Sequence, residues 1–236
     1  MDLLAPLREA PGETALLFDV DGTLAPIAPR PELASVPPET KVELARLASK
    51  YLLVACISGR SGEEAEALVG VEGIRYVGNH GLELDARAAV LASRIAAFRD
   101  TVALPVEDKG LSLSYHYRLA EDEESARSEL EVIARRARAE GLDPRWGRMV
   151  LEIRPPVAAD KGTAVQALLT SVAARRGLYA GDDTTDLDAF DGLVNAGLEH
   201  AVRVAVESEE GPEELRAAAD LVVPAPTQLA SLLATL

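Results

Sequence analysis

Short apolar runs alternate with amphipathic segments along the chain, the pattern left by parallel strands that are connected by helices. Apolar runs over residues 14–19, 52–57 and 75–77 predict strands, and the spaced apolar positions of Pro38–Lys50 and Gly62–Val69 predict helices between them. The alternation resumes late: helices are predicted over 160–176 and 184–195, strands over 178–180, 201–206 and 220–223, and a last helix closes the chain. The middle reads differently. Residues 121–140 run from acidic to basic, which suits a helix macrodipole, residues 112–117 (SLSYHY) alternate like a half-buried strand, and 150–153 (VLEI) read as another. Pro155-Pro156 stops regular structure and offers a hinge. The fold class expected is α/β, a doubly wound, Rossmann-like parallel-sheet core made of residues 1–81 and 155–236, with a smaller α+β domain inserted at 82–154.

Composition narrows the setting. A chain of 236 residues is one large domain or two small ones and buries a proper core without staples. The single cysteine, Cys56, lies inside the apolar run YLLVACI, so it reads as a core residue, and no intramolecular disulfide is possible. The N-terminal residues MDLLAPLREAPGE have neither the basic start nor the apolar length of a signal peptide, and no stretch approaches ~20 uninterrupted apolar residues. A soluble, cytoplasmic protein is expected. A formal net charge of −15 argues against nucleic acid or an anionic membrane as partner, because such binding depends on neutralising phosphate with a broad basic surface. Any phosphate must be met locally.

Ligands of a parallel sheet bind beyond the carboxyl ends of its strands, and four polar clusters stand at such ends. They are Asp19-Val20-Asp21-Gly22-Thr23, Ser58-Gly59-Arg60, Asp160-Lys161-Gly162 opening a helix, and Gly181-Asp182-Asp183-Thr184-Thr185-Asp186. Brought together, they give several carboxylates, a hydroxyl, a lysine and helix N-termini, a mixture suited to a hard divalent cation with a phosphate. Each piece also has a plainer reading: the Asp-Gly pair as a turn, Ser58 as a helix N-cap, Asp183 and Asp186 as loop hydrogen-bond acceptors.

In this order, and in these strand contexts, DxDGT, SGR, DKG and GDDxTD resemble the four motifs of the haloacid dehalogenase superfamily of phosphatases. The resemblance implies that Asp19 is a nucleophile forming an aspartyl-phosphate and that Asp21 is the acid and base for leaving group and water. It implies that Ser58 and Lys161 bind phosphoryl oxygens, and that Mg²⁺ is held by Asp19, the Asp21 carbonyl and Asp182, supported by Asp183 and Asp186. The insertion would then be a cap that selects substrate by closing over the site.

Within the superfamily, further segments are similar to the trehalose-6-phosphate phosphatase family: Gly78-Asn79-His80-Gly81-Leu82-Glu83, Val106-Glu107-Asp108-Lys109-Gly110 with His116-Tyr117-Arg118, and Leu151-Glu152-Ile153-Arg154-Pro155. Leu187 departs from that pattern, which usually carries glutamate there. The resemblance implies hydrolysis of trehalose 6-phosphate, with Glu107, Lys109 and Glu152 binding hydroxyls of the distal glucose and Thr23, Arg60, Asn79 and His80 as further substrate contacts. Sucrose-phosphate or mannosyl-3-phosphoglycerate phosphatases are the nearest alternatives, followed by a phosphomutase or a silent sugar-phosphate-binding domain. The partner expected is a small sugar phosphate, for a monomer that a trehalose-phosphate synthase could accompany.

Overall fold

A computed structural model describes residues 2–28, 30–147, 149–208 and 211–236. The described elements begin with α1 (Ala5–Glu9), β1 (Thr14–Phe18), α2 (Pro38–Lys50), β2 (Leu53–Ile57), α3 (Gly62–Val69) and β3 (Arg75–Val77). They continue with α4 (Ala86–Arg99), β4 (Glu107–Asp108), β5 (Leu113–His116), α5 (Glu123–Ala139), β6 (Asp143–Gly147) and β7 (Val150–Arg154). The last stretch holds α6 (Lys161–Ser171), β8 (Arg176–Gly181), α7 (Thr185–Val194), β9 (His200–Val206), α8 (Glu213–Ala218), β10 (Leu221–Val223) and α9 (Pro226–Leu233). No helix of the described residues is long and apolar enough to cross a membrane.

The chain divides into two compact units, Met1–Leu84 with Ala159–Leu236, and Asp85–Ala158. In the first, six parallel strands lie in the order β10-β9-β8-β1-β2-β3. All five residues of β1 are buried, because a central strand of a parallel sheet is covered on both faces. Leu16 and Phe18 enter one apolar core, with α2 and α9, while Ala15 and Leu17 enter the other, with α6 and α7. The strand therefore cannot slip without moving both layers, and Asp19, the next residue, inherits that rigidity.

Local signals fix the connecting helices. Ser61 and Glu64 form a reciprocal capping box at the start of α3, and Gly70 ends it in a left-handed conformation. Helix α3 thus begins at Ser61, which leaves Ser58 outside the helix rather than capping it. Asp160 caps α6 through the Thr163 N–H at 2.7 Å. The helix read over 160–176 ends earlier, at Ser171, and a left-handed Ala173 (φ 50°) turns the chain. The ladder decides this: Arg175 N–H donates to Glu13 O at 2.9 Å, and Arg176 pairs with Thr14, so these residues already belong to the strand side.

The second unit is an antiparallel sheet in the order β4-β5-β7-β6, with Leu113, Tyr115, Leu151 and Ile153 packed in one core with Ile95 and Phe98 of α4 and Leu130, Ile133 and Ala134 of α5. Strand β6 carries no strand signal in the sequence because Trp146 is its one strand former, beside Asp, Pro and Gly that strands disfavour; Pro144 is tolerated since β6 is an edge strand. In the first unit, α6 and α7 approach unusually closely. A Cβ built on Gly192 would lie 2.4 Å from Gly162 O, and one on Gly162 would lie 2.3 Å from Asp188 O. Alanine normally stabilises a helix relative to glycine by about 1 kcal/mol; here Gly192→Ala should instead destabilise the protein by about 1–3 kcal/mol, read from thermal unfolding, and a raised or unchanged melting temperature would contradict the packing.

Candidate active site

The carboxyl ends of β1, β2 and β8 and the start of α6 gather the polar residues of the first unit. Asp19 keeps β1's direction through its N–H, which donates to Ala180 O at 2.9 Å, and is 4% exposed. Lys161, first residue of α6, is 2% exposed, and its Nζ donates to Asp19 Oδ1 at 2.8 Å and to Asp186 Oδ1 at 2.7 Å. Asp186 stands on the first turn of α7. Its Oδ1 also accepts from Tyr179 Oη at 2.6 Å, and its Oδ2 accepts from the N–H groups of Asp182 and Asp183 at 2.9 and 3.0 Å.

The turn after β1 seats Asp182. Gly22 adopts φ +87°, and a Cβ there would lie 2.0 Å from Asp182 Oδ2, so only glycine leaves room for that carboxylate. Thr23, expected to touch substrate, is fully buried, and its hydroxyl donates to Asp182 Oδ1 at 3.1 Å. Asp183 accepts from Thr185 N–H at 2.8 Å and its hydroxyl at 2.6 Å. Asp21 is engaged elsewhere: Arg60 grips it bidentately, Nε to Oδ2 at 2.6 Å and Nη2 to Oδ1 at 2.7 Å.

The loops after β2 and β3 are locked together. Ser58, 1% exposed, accepts on its Oγ from Arg60 N–H at 3.1 Å, and its carbonyl accepts from His80 N–H at 2.9 Å. Asn79 N–H donates to Arg60 O at 2.7 Å. Both Asn79 and His80 hold φ 52°, a left-handed conformation that costs a non-glycine residue about 1–3 kcal/mol and persists only when its surroundings impose it. Glu83, given no role by the sequence reading, imposes much of it. Its carboxylate accepts from Gly62 N–H and Gly78 N–H, each at 2.8 Å, and from Asn79 Nδ2 at 3.3 Å. Glu83 closes the quoted GNHGLE segment, but sequence alone has no signal for a carboxylate that reaches back to two backbone amides.

Electrostatically, the pocket holds more negative charge than its one ammonium offsets. Burial pushes the Asp19 carboxyl well above its ordinary range, Lys161 opposes this, and Asp186, Asp182 and Asp183 add to it. Burial likewise raises Asp182, with Asp186 and Asp183, to about 7. Burial works against Lys161's charge, yet Asp186 and Asp19 outweigh it and hold the ammonium well above its usual range. Burial also disfavours Asp183's charge, but Lys161 and the Thr185 hydrogen bonds prevail and lower its pKa. Lys161, Asp19 and Asp182 thus all hold their protons more tightly than usual, the ammonium because carboxylates outnumber it and the two carboxyls chiefly because they are buried. One oxygen from each of Asp19, Asp182 and Asp186 lies within 4.8 Å of the others, a group that can hold a metal ion. The four donors already on Asp186 leave Asp19 and Asp182 as the carboxylates with capacity to spare.

In the second unit, the sheet aligns three residues across its strands: Glu107 of β4 faces Ser114 of β5, which faces Glu152 of β7. They share the face opposite Leu113, Tyr115 and Leu151, since neighbours along a strand alternate. Glu107 Oε2 lies 2.7 Å from His116 Nε2 and 3.7 Å from Lys109 Nζ. Ser112 Oγ donates to Glu152 Oε1 at 3.1 Å, and the nearly buried Arg154 lies 3.9 Å from the same carboxylate. Two carboxylates, a lysine and hydroxyls on one sheet face can bind a polyhydroxy compound.

A parallel sheet with an aspartate-rich site at its strand ends, plus an inserted antiparallel sheet, defines the haloacid dehalogenase-like fold. A haloacid dehalogenase-like hydrolase of Bacteroides thetaiotaomicron superposes with a TM-score of 0.61 at 14% identity, over 94% of this chain and 98% of that one. The family model described as trehalose-phosphatase matches residues 17–89 and 90–223, and the chain belongs to that family. A trehalose-phosphate phosphatase of Mycobacterium marinum is 34% identical over 253 aligned residues, 94% of this chain and 63% of the relative. The C-terminal domain of Candida albicans trehalose-6-phosphate phosphatase superposes with a TM-score of 0.72 at 22% identity, over 99% and 94% of the two chains. The chain spans less than two thirds of the length of the first curated relatives it matches, 16% of one and 63% of another.

A carboxyl whose pKa rises from 3.8 to about 7 binds its proton more tightly in the folded chain, so the stability it contributes is present at low pH and lost as the pH climbs through about 7. In metal-free protein, Asp182→Asn should therefore gain melting temperature relative to the unsubstituted protein between about pH 4 and pH 8. A difference that stays constant across that range would contradict the assignment.

Proposed function

We propose that the chain is a Mg²⁺-dependent trehalose-6-phosphate phosphatase that works through an aspartyl-phosphate on Asp19, with the first unit as phosphatase core and the second as substrate-selecting cap. The observation that carries this reading is the Asp19 carboxylate, fixed at the end of the central strand and hydrogen-bonded by a buried lysine, in a chain of the trehalose-phosphatase family. Oxygen-rich, anionic donors fit the metal: Asp19, Asp182 and the Asp21 carbonyl are the groups that would hold Mg²⁺, with Asp183 and Asp186 in support. When bound, it supplies positive charge against the phosphate dianion.

Everything else falls to side chains. A carboxylate attacks phosphorus well only when charge is offset and the attack is in line, so Lys161 spends one proton on Asp19 and has another free for a phosphoryl oxygen. The Ser58 hydroxyl, which accepts from Arg60 N–H, keeps its own proton for a further phosphoryl oxygen. Asp19 Oδ forms the bond to phosphorus as the ester oxygen leaves, and Asp21 gives that oxygen its proton. Water then attacks the phosphorus of the acyl phosphate, Asp21 takes the water's proton, and Asp19 is released with inorganic phosphate. Arg60 takes one lone-pair site on each Asp21 oxygen and leaves the other for proton transfer; as substrate arrives the arginine turns to the substrate side, beside Asn79 and His80.

Recognition of the sugar rests on Glu107, Lys109 and Glu152. Carboxylates accept from hydroxyls and the lysine donates, which leaves a buried charge unsatisfied when a hydroxyl is missing or misplaced.

Phosphate release measured with trehalose 6-phosphate, sucrose 6-phosphate, mannosyl-3-phosphoglycerate and monosaccharide phosphates tests the reading. Trehalose 6-phosphate should have the highest kcat/KM and need Mg²⁺; faster hydrolysis of another sugar phosphate would overturn the substrate assignment. Asp19→Asn should lower kcat by about a thousandfold or more while the protein still folds, and retained turnover would remove the nucleophile assignment.

Glu107→Gln separates recognition from chemistry. It should raise KM for trehalose 6-phosphate by about tenfold or more and leave hydrolysis of p-nitrophenyl phosphate, which has no sugar, unchanged. Equal losses on both esters would place Glu107 outside sugar recognition.

A further inference from the structure

Asp186 receives four hydrogen bonds, and three of its donors belong to the machinery already described: Lys161 and the N–H groups of Asp182 and Asp183. The fourth is Tyr179 Oη at 2.6 Å, the shortest of the set. Tyr179 lies on β8 two residues before Gly181, is fully buried, and has its ring held edge-on by Phe190 of α7, with centroids 6.1 Å apart at 84°. Its neighbours Leu178 and Ala180 belong to the other face of the sheet. A tyrosine here is costly unless its hydroxyl is used, since phenylalanine would fill the same apolar space without a polar atom to satisfy.

We propose that Tyr179 is a positioning residue for phosphoryl transfer, acting through Asp186. A carboxylate with two donors on each oxygen cannot rotate without breaking several bonds at once. Tyr179 and Lys161 converge on Oδ1 while the Asp182 and Asp183 amides hold Oδ2, so the hydroxyl pins one end of the carboxylate independently of the lysine. That anchor lets Lys161 bridge to Asp19 and still present a third proton outward. It also fixes the backbone amide of Asp182, whose carboxylate faces the candidate metal position. Loss of the hydroxyl leaves Lys161 as the only donor on Oδ1; the carboxylate gains rotational freedom, and both the ammonium and the Asp182 loop follow it. The inference rests on the phosphatase reading of the site but not on the identity of the sugar.

Tyr179→Phe keeps the ring and its contact with Phe190, so the fold should survive; Tyr179→Met fills the site without a hydroxyl as a second variant. The expected result is a fall in kcat of about tenfold with KM within twofold, equally for trehalose 6-phosphate and p-nitrophenyl phosphate. Calorimetric titration with Mg²⁺ alone should show affinity weakened by about threefold or more, since the Asp182 loop loses its clamp. A double-mutant cycle with Asp186→Asn completes the test. The two substitutions should be strongly non-additive, because the tyrosine acts only through that carboxylate. Unchanged kcat and Mg²⁺ affinity in both variants, or full additivity with Asp186→Asn, would reduce Tyr179 to core packing and overturn the inference. Activity on p-nitrophenyl phosphate without activity on trehalose 6-phosphate would defeat only the substrate assignment, and the metal titration decides for Tyr179 independently of any turnover.

Discussion

The site depends on one buried ammonium among several carboxylates. Lys161 reaches Asp19 and Asp186 together at 2% exposure, and it only partly opposes the burial that raises Asp182. Desolvating a charge costs several kcal/mol unless partners return it, so lysine and aspartates are each tolerable only because of the others. The balance is incomplete: carboxylates stay in excess, and burial raises the pKa values of Asp19 and Asp182. A divalent cation is the kind of group that offsets such an excess.

The protein's packing serves that constraint. Helix α6 must deliver Lys161 next to the first turn of α7, and the glycine contact between Gly162 and Gly192 lets the two helices close to backbone distance. Strand β8 supplies Tyr179 from below and Asp182 from its end, while the left-handed Gly22 opens the space Asp182 fills. On the other side, Glu83 ties the loops after β2 and β3 into one piece and holds Asn79 and His80 in an unfavourable backbone conformation. That conformation lets the His80 N–H reach Ser58 O and the Asn79 N–H reach Arg60 O.

Much of this was legible in the sequence. Periodicity located the parallel strands, and the four polar clusters sit at strand ends because a parallel sheet puts its ligands there. What escaped was long-range hydrogen bonding. Nothing in Tyr179's neighbourhood distinguishes it from any aromatic in a buried strand, and Glu83 reads as a surface glutamate until the chain folds it onto two backbone amides. Thr23 stands in a motif that points toward substrate, yet tertiary packing turns its hydroxyl to Asp182. The grip of Arg60 on Asp21 was equally hidden, since it joins residues 39 positions apart. In the second unit, strand register rather than motif places Glu107 and Glu152 on one face with Ser114 between them.

The central claim is that Asp19 carries the phosphoryl group during turnover. Acid quenching of the enzyme during steady-state hydrolysis, followed by mass spectrometry of its peptides, reads this directly. The account predicts one phosphoryl group on the peptide that contains Asp19, formed with substrate and Mg²⁺ and absent when either is withheld. A quenched enzyme that turns over substrate yet carries no phosphoryl group there, or carries it on another residue, would contradict it.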